Sequence, residues 1–146
     1  NGILFNHESP RRGTNFVTNK VVKTAVEIKK GLRNELVLGN MQATRDWGHA
    51  KDYVKAMWLM LQQDKPGNFV CATGVSHSVQ DLVEYTFNKL DLDWNQYVKT
   101  DAKYLRPEEL RDLKGDSTKL RELGWTADYT FETMIDEMIN YWIEKL

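Results

Sequence analysis

The stretch Leu4-Phe5-Asn6-His7-Glu8-Ser9-Pro10-Arg11-Arg12-Gly13 decides how the rest of this sequence is interpreted. It begins inside the short apolar run 2–5, which is typical of a buried strand in a sheet covered on both faces. Polar side chains follow at once, and open α/β sheets bind their ligands just past the carboxyl ends of their strands. Adjacent arginines beside a glycine offer permanent planar charge and close access to the backbone, which suits phosphate. We therefore expect a ligand site here rather than a solvent-exposed loop.

The composition is that of an ordinary globular domain. The chain has 146 residues, which is enough for one domain with a hydrophobic core. Its hydrophobic share of 41% and charged share of 28% are unexceptional. The formal net charge of −1 gives no electrostatic case for binding nucleic acid or an anionic membrane. No apolar run approaches the roughly 20 residues that a membrane-spanning helix needs, so we expect no membrane partner.

The single cysteine indicates the cellular compartment of the protein, and the first residues indicate whether the chain is part of a larger protein. One cysteine, Cys71, excludes an internal disulfide and fits a reducing, cytoplasmic compartment. It lies in the apolar run 69–72, where we expect a buried and inert thiol. The start of the chain has neither the basic region nor the apolar region of a signal peptide. Because the chain opens almost directly on a strand, we expect it to be part of a larger protein.

The hydrophobic pattern predicts an α/β chain that is rich in helix. A first helix follows Thr18 as its N-cap and ends near Gly31. A second helix follows His49, and the simplest interpretation of its apolar stripe is core. That stripe consists of Ala50, Tyr53, Val54, Met57, Trp58 and Leu61.

Further elements follow from caps and short apolar runs. Ser78 caps a third helix, with Asp81 three positions on. Asp116 or Ser117 caps a short helix, and Thr130 caps the last one. Strands are predicted over residues 35–38 and 68–73, and a further short strand around residues 97–98.

Several familiar motifs are absent from the sequence. The three histidines lie far apart and beside no cysteine pair, which excludes the usual structural zinc patterns. Glycine-rich nucleotide loops and the Gly-x-Ser-x-Gly elbow are also missing. Two Tyr-x-x-x-Lys spacings, Tyr85…Lys89 and Tyr141…Lys145, match a spacing used in dehydrogenase catalysis. We reject both, because amphipathic helices already account for them and no glycine-rich turn precedes either.

Arginines at three positions carry the functional hypothesis. Arg11-Arg12, Arg45 and Arg106 each lie where an extended segment meets a helical one. Such junctions on one side of an α/β sheet converge, so the guanidinium groups could clamp a pyrophosphate. Taken singly, each arginine is better explained as a surface residue. Together with Asn6 and Glu109, the clamp stands about level with that simpler explanation.

Longer blocks of the sequence resemble the GDP-mannose 4,6-dehydratase family. The two longest are residues 6–13 with Phe16-Val17-Thr18, and Arg45-Asp46-Trp47-Gly48-His49-Ala50-Lys51-Asp52-Tyr53. Shorter blocks continue in order: Leu38-Gly39-Asn40, Ala72-Thr73-Gly74, Arg106-Pro107-Glu108-Glu109, Gly115-Asp116 and Leu123-Gly124-Trp125. The resemblance covers essentially the whole chain, but only the carboxyl-terminal part of the family's sequence.

The resemblance implies a fold and an activity. The fold would be the end of a Rossmann-type parallel sheet plus the helix-rich substrate-binding subdomain of an extended short-chain dehydrogenase/reductase. Residues 1–146 would be the GDP-sugar-binding portion, with residues 1–13 as the last part of the dinucleotide-binding sheet and its ligand loop. The family's enzyme is a hydro-lyase of deoxyhexose synthesis, which converts GDP-mannose to the 4-keto-6-deoxy sugar with bound NADP. Its glycine-rich turn and catalytic residues lie upstream of Asn1, so we expect no turnover without that N-terminal half.

The resemblance also implies binding roles. His7 and Arg12 would contact NADP. The GDP-sugar would be bound by Asn6, Val17, Lys20, Leu38, Gly39, Arg45, Arg106 and Glu109. No catalytic residue and no metal site is carried over, and the full enzyme is expected to be a dimer or tetramer. Asn19 departs from the family, which often has a basic residue there.

Two other interpretations stay open. Another nucleotide-sugar epimerase or reductase of the same superfamily would share the arginine clamp, although the block 6–13 favours the dehydratase. A non-catalytic module, either a GDP-sugar binder or a helical interaction domain, is the second. GDP titration separates a binder from an interaction domain, because only a clamp would lose binding in Arg45→Ala.

Overall fold

The computed structural model describes residues 1–105 and 113–146. Within these ranges the chain is α/β, as predicted. The helices are α1 (Val17–Lys29), α2 (Ala50–Leu61), α3 (Val79–Lys89), α4 (Thr118–Glu122) and α5 (Phe131–Lys145). The strands are β1 (Gly2–Leu4), β2 (His7–Glu8), β3 (Leu36–Leu38), β4 (Thr44–Arg45), β5 (Gly48–His49), β6 (Phe69–Cys71), β7 (His77–Ser78) and β8 (Val98–Thr100). Short 3₁₀ helices cover Trp94–Gln96 and Ala102–Tyr104.

The strands form pairs, and most of the pairs are parallel. β1 pairs with β6, β2 with β5 and β3 with β8, all in parallel, whereas β4 and β7 are antiparallel. In the first pair Gly2 lies opposite Phe69 and Leu4 opposite Cys71. Because the two strands run the same way, the segments that follow Leu4 and Cys71 emerge at one edge. This edge carries Asn6 and His7, which were predicted to bind ligand.

The larger core lies between α1, α3 and α5. Fully buried residues of α1 pack against apolar faces of the other two helices and against β3. They include Val21, Val22, Ala25, Leu82, Val83, Phe87, Met134, Ile135 and Met138. Each of the larger side chains, all except Ala25, contributes about 1.5–3 kcal/mol by leaving water. This core holds α1 firmly, so the first turn of α1 is a rigid support for the loop that precedes it.

A smaller core joins α2, β6 and α4. It consists of Tyr53, Ala56, Cys71, Leu120 and Trp125. Cys71 is buried and free, as predicted, and burial raises the pKa of its thiol to about 12. The thiol is therefore protonated and unreactive at neutral pH.

The prediction that the whole apolar stripe of α2 is core was wrong. Tyr53 and Ala56 are buried, but the outer face of α2 is exposed. This face consists of Val54 (61% exposed), Met57 (40%), Trp58 (63%) and Leu61 (82%). The helix packs on β1, β2 and β6 with its other side only. Helical spacing shows that one face of a helix is apolar, but not how much of that face is covered by neighbouring elements.

The prediction that β1 is buried on both faces was also wrong. Gly2 and Ile3 are exposed, with Ile3 at 54%. Among the described residues, β6 is the strand that pairs with β1. The other edge of β1 pairs with no strand of the described ranges 1–105 and 113–146.

The predicted helix ends are mostly confirmed. Ser78 and Asp81 form a reciprocal capping box at the start of α3, and Thr130 caps α5 in the same way with Thr133. Gly31 follows α1 at φ +74°, the left-handed conformation that favours glycine. Thr18 does not cap α1, because the N-cap is Phe16, two residues earlier, and Thr18 lies inside the helix.

The remaining local predictions are confirmed with shifted bounds. β3 and β6 lie inside the predicted strands 35–38 and 68–73, and the strand predicted around residues 97–98 is β8. Ser117 is the N-cap of α4, but its side chain makes no capping hydrogen bond, and Asp116 instead accepts the backbone N–H of Thr118 at 2.9 Å. No helix in the described part of the chain is long and apolar enough to cross a membrane.

Candidate functional site

The polar segment after β1 lies against the turn that connects β4 and β5. The Phe5 N–H donates to the Cys71 carbonyl at 3.0 Å, and the Gly48 N–H donates to the Asn6 carbonyl at 2.9 Å. Arg45, on β4, lies opposite His77 of β7. The chain thus brings Asn6, His7 and the Arg45 turn to the same region of the molecule.

Asp46 holds this region together. Its buried carboxylate accepts the Thr73 N–H at 2.9 Å, the Thr73 hydroxyl at 2.6 Å, the Gly74 N–H at 2.9 Å and the Gly115 N–H at 3.1 Å. A Cβ at residue 115 would clash with Ala72, so this close approach requires glycine. The sequence did not reveal this role, because the donors lie 27 to 69 positions away along the chain.

His7 presents one ring nitrogen for a ligand. Its Nδ1 lies 3.0 Å from the Phe5 carbonyl oxygen, which can only accept. Nδ1 therefore carries the proton in the neutral ring, and Nε2 is an acceptor. The ring centroid lies 5.1 Å from that of Tyr53.

Arg12 is held on two sides. Its Nε lies 2.9 Å from the Glu8 carboxylate, and its guanidinium carbon lies 3.5 Å from the centroid of the Phe16 ring. The ion pair is close, but the Nε–H is not aligned for a hydrogen bond with any described residue. The Arg12 side chain keeps 27% of its surface exposed, which leaves its terminal nitrogens for an anion.

Glu8 is the buried partner of this arrangement. Its carboxylate accepts the Thr18 hydroxyl at 2.8 Å. Burial raises the pKa of Glu8 above its usual value, although the Thr18 hydrogen bond and the Arg12 charge act in the opposite direction. Thr18, which was predicted to cap α1, thus positions the loop that precedes the helix.

A basic cavity opens beside α1. It has a volume of about 410 Å³ and is lined by Thr14, Asn15, Lys20, Lys23, Thr24, Glu27, Arg33 and Tyr104. The Lys20 Nζ lies 4.4 Å from the centroid of the Tyr104 ring, and Arg33 pairs with Glu27 at 3.6 Å. Three cations against one carboxylate make this cavity attractive to anions.

A second cavity lies past the end of β3. It has a volume of about 460 Å³ and is lined by Gly39, Asn40, Met41, Gln42, Gln80, Thr100, Asp101, Ala102 and Leu105. A Cβ at residue 39 would clash with the Tyr104 carbonyl, so Gly39 allows the segment 100–105 to approach β3. Tyr104 lines the basic cavity, so this one segment borders both cavities.

The predicted GDP-sugar residues occupy different environments. Lys20 and Gly39 line the two cavities, and Asn6 is exposed past β1. Val17 opens α1 and packs against the larger core. The Leu38 side chain is buried in that core, so only its backbone is available to a ligand, and its carbonyl accepts the Asp101 N–H at 2.9 Å.

The arginine clamp stays a prediction. Arg45 donates from Nη1 to the Thr44 carbonyl at 2.7 Å. Arg106 and Glu109 lie outside the described residues. The convergence of three arginine positions is therefore neither confirmed nor contradicted.

The rejected Tyr-x-x-x-Lys pair on α3 has a structural explanation. The Tyr85 hydroxyl donates to Asp136 of α5 at 2.8 Å, and Lys89 lies 3.7 Å from the same carboxylate. Burial, together with the contact to Asp136, raises the pKa of Tyr85. A tyrosine that acts as a base needs a lowered pKa, not a raised one.

The structure brings together no group of three metal-ligating residues within its described ranges.

Comparison with known sequences identifies a family for this chain. The family model described as GDP-mannose 4,6 dehydratase matches residues 1–138. GDP-mannose 4,6 dehydratase 2 of Arabidopsis thaliana is 52% identical over 141 residues, which is 96% of this chain and 38% of that protein. The human GDP-mannose 4,6 dehydratase is 45% identical over 164 aligned positions, covering 100% of this chain and 44% of that protein. This chain thus spans less than half the length of these relatives.

Comparison with solved structures supports the fold. The structure of RMD from Pseudomonas aeruginosa complexed with NADPH matches 99% of this chain with a TM-score of 0.90 and 20% identity. A dTDP-glucose 4,6-dehydratase from Bacillus anthracis, in complex with NAD, matches 99% with a TM-score of 0.82 and 20% identity. The matches cover 48% and 44% of those chains. At this identity they establish shared architecture over part of each larger protein.

Proposed function

Because this chain belongs to the GDP-mannose 4,6-dehydratase family, we propose that it is the carboxyl-terminal, GDP-sugar-binding portion of such an enzyme. The whole enzyme would remove water from GDP-mannose to give GDP-4-keto-6-deoxymannose. The observation that carries the proposal is the family match over residues 1–138. The basic cavity beside α1 supports it, since a sugar diphosphate needs positive charge near a rigid backbone.

The GDP-sugar would lie along α1 and the end of β3. Lys20 in the basic cavity and Arg45 would neutralise the diphosphate, with Arg106 and Glu109 as further predicted contacts. The cavity past β3, with Gly39 at its edge, would take the nucleoside end. Asn6 would contact the substrate near the strand ends, while Val17 and the Leu38 backbone would complete the lining.

His7 and Arg12 fit a phosphorylated dinucleotide. The His7 Nε2 is an acceptor suited to a ribose hydroxyl or an amide N–H. The Arg12 guanidinium is immobilised by Glu8 and Phe16 with its outer nitrogens accessible, which suits a phosphate. When bound, NADP would supply the hydride acceptor for oxidation of the sugar. These two side chains would bind and orient it.

In the proposed enzyme, no acid–base step is carried out by residues of this chain. The residues that the family uses for proton transfer lie in an upstream half, and we propose that residues 1–13 end the dinucleotide-binding sheet of that half. Two observations on β1 support this: one of its edges is unpaired among the described residues, and Gly2 and Ile3 are exposed. Parallel sheets are normally covered on both faces, and two strands alone rarely form a stable sheet. The full enzyme would be a cytoplasmic homo-oligomer.

Titration calorimetry with GDP tests the binding role. We expect saturable binding that weakens about tenfold or more when Lys20 or Arg45 is changed to alanine, because each removes a charge-assisted contact with the diphosphate. Lys65→Ala, at an exposed lysine outside both cavities, is the matched control and should leave the affinity unchanged. Equal affinities in all three variants would contradict the site.

An activity assay tests whether catalysis requires the upstream half of the enzyme. The chain mixed with GDP-mannose and NADP should give no keto sugar, whereas the same segment joined to an upstream half should. Turnover by the chain alone would refute the proposal. A different sugar product from the joined enzyme would favour the epimerase or reductase alternative.

A further inference from the structure

Asn19 uses its whole amide inside the protein. The residue is 1% exposed and lies in the first turn of α1. Its Nδ2 donates to the carbonyl oxygens of Pro10 (3.2 Å) and Arg12, and its Oδ1 accepts the indole N–H of Trp142 at 2.7 Å. One side chain therefore joins the arginine loop, defined as residues 9–13, to helix α5.

The contacts of Asn19 fix the backbone from which the Arg12 side chain projects. The Arg12 N–H donates to the Ser9 carbonyl at 3.0 Å, and its own carbonyl is taken by Asn19. With both peptide planes held, the direction of the Arg12 Cα–Cβ bond is set. Glu8 and Phe16 then hold the guanidinium group itself.

Trp142 decides which way the Asn19 amide points. An indole N–H can only donate, so the amide oxygen must face α5 and the two amide N–H groups must face the loop. Aspartate at this position has no donor, and lysine or arginine has no acceptor, so neither could make all three hydrogen bonds. The combination of Asn19 and Trp142 is thus a matched pair.

We propose that Asn19 is a positioning residue for Arg12, and that Trp142 fixes the orientation of the Asn19 amide. In functional terms this rests on the proposed function, in which Arg12 contacts NADP. The arginine loop then carries a preorganised guanidinium, so that little side-chain entropy is lost when a phosphate binds. Helix α5, remote in sequence, takes part in shaping the cofactor side of the site.

Hydrogen exchange of the Arg12 Nε–H, followed by NMR on the ligand-free 146-residue chain, tests the positioning directly. The Arg12 Nε atom is buried, so the exchange rate of its hydrogen reports how often the guanidinium group moves out of this position into solvent. We expect Asn19→Ala to accelerate the exchange about tenfold or more, and Trp142→Phe to accelerate it by a smaller factor. Trp142→Phe keeps the Asn19 donors and decides the question if Asn19→Ala fails to fold.

The control must lose a buried hydrogen bond away from the loop. Thr86→Val does so, because the Thr86 hydroxyl donates to the Leu82 carbonyl at 2.7 Å within α3. If exchange at Arg12 follows global stability equally in all three variants, Asn19 is only a structural residue and the proposal is overturned.

Ligand titrations separate this inference from the proposed function. In this segment joined to an upstream half, Asn19→Ala should weaken NADP binding about tenfold, while GDP affinity, which depends on other cations, stays within about twofold. Equal losses for both ligands would overturn the positioning role. Absence of NADP binding by the unaltered segment joined to an upstream half would count against the proposed function, whereas the exchange result on the ligand-free 146-residue chain would still decide the role of Asn19.

Discussion

At the scale of single residues, buried carboxylates hold together the loops that carry the site. Asp46 joins the β4–β5 turn to residues 73–74 and 115. Asp52 does the same for the start of α5, accepting the Asp128 N–H at 2.8 Å and the Tyr129 N–H at 3.1 Å. Both lie within the longest block of family resemblance, yet their partners show that they act on the backbone of this protein rather than on a ligand.

Removal of the Asp46 carboxylate should destabilise the fold. Asp46→Ala leaves the N–H groups of Thr73, Gly74 and Gly115 without their acceptor. Only the Gly115 donor is in a fully buried hydrogen bond, so at roughly 1–3 kcal/mol for an unsatisfied buried group we expect a loss of about 1–3 kcal/mol. Urea unfolding measures it, with the exposed Asp64→Ala as control, expected within about 0.5 kcal/mol of the unaltered chain. A loss for Asp46→Ala no larger than that of the control would show that water replaces these contacts.

Glu8 should make stability depend on pH in a defined direction. Its folded-state pKa is raised above the ordinary value of 4.5 by burial, so the folded protein binds the proton more tightly than the unfolded chain. Unfolding free energy contributed by Glu8 therefore falls as pH rises from 4.5 through the raised pKa. We expect the stability of the unaltered chain relative to Glu8→Gln to decline over that window, as followed by urea unfolding at a series of pH values. A relative stability that rises over the same window would mean that the Arg12 charge outweighs burial.

At the scale of the elements, a helix cap depends only on residues that are close together in the sequence. The Ser78 hydroxyl accepts the Asp81 N–H at 3.0 Å, and the Asp81 carboxylate accepts the Ser78 N–H at 2.9 Å. Ser78→Ala should cost about 1 kcal/mol, because it leaves the Asp81 N–H without this acceptor. Thermal unfolding measures the cost, and Thr126→Ala, at an exposed threonine outside the helices, should leave the melting temperature unchanged. Equal melting temperatures for the two variants would show that the cap does not contribute.

These caps also show what the sequence could predict. Ser78 and Thr130 were identified correctly because capping depends on residues three positions apart. Thr18 looked like a cap by the same local rule, yet its hydroxyl bonds to Glu8, which local spacing does not reveal. The ligand loop was predicted from residue type and stays a prediction, whereas the role of Asp46 depends on contacts that only the folded chain creates.

At the scale of the whole molecule, the outer face of α2 and the open edge of β1 leave apolar surface in water. Trp58 and Leu61 are 63% and 82% exposed, and Ile3 is 54% exposed. A row of exposed apolar side chains on one helix face is typical of an interaction site. Under the proposed function, we expect the upstream half of the enzyme to cover this surface, since this chain spans only 38% of a relative such as the Arabidopsis protein.

Co-purification of this chain with a separately expressed upstream half tests that assignment. Trp58→Glu combined with Leu61→Glu places two charges in a surface that should become buried, and a desolvated unpaired charge is costly. We expect the double variant to lose co-purification while its helical circular dichroism is retained, because both side chains are exposed in this chain. Leu32→Glu is the matched control: Leu32 is 62% exposed but lies outside α2, and its variant should bind as the unaltered chain does. If the double variant still co-purifies, the upstream half docks elsewhere, and the exposed face of α2 needs another explanation.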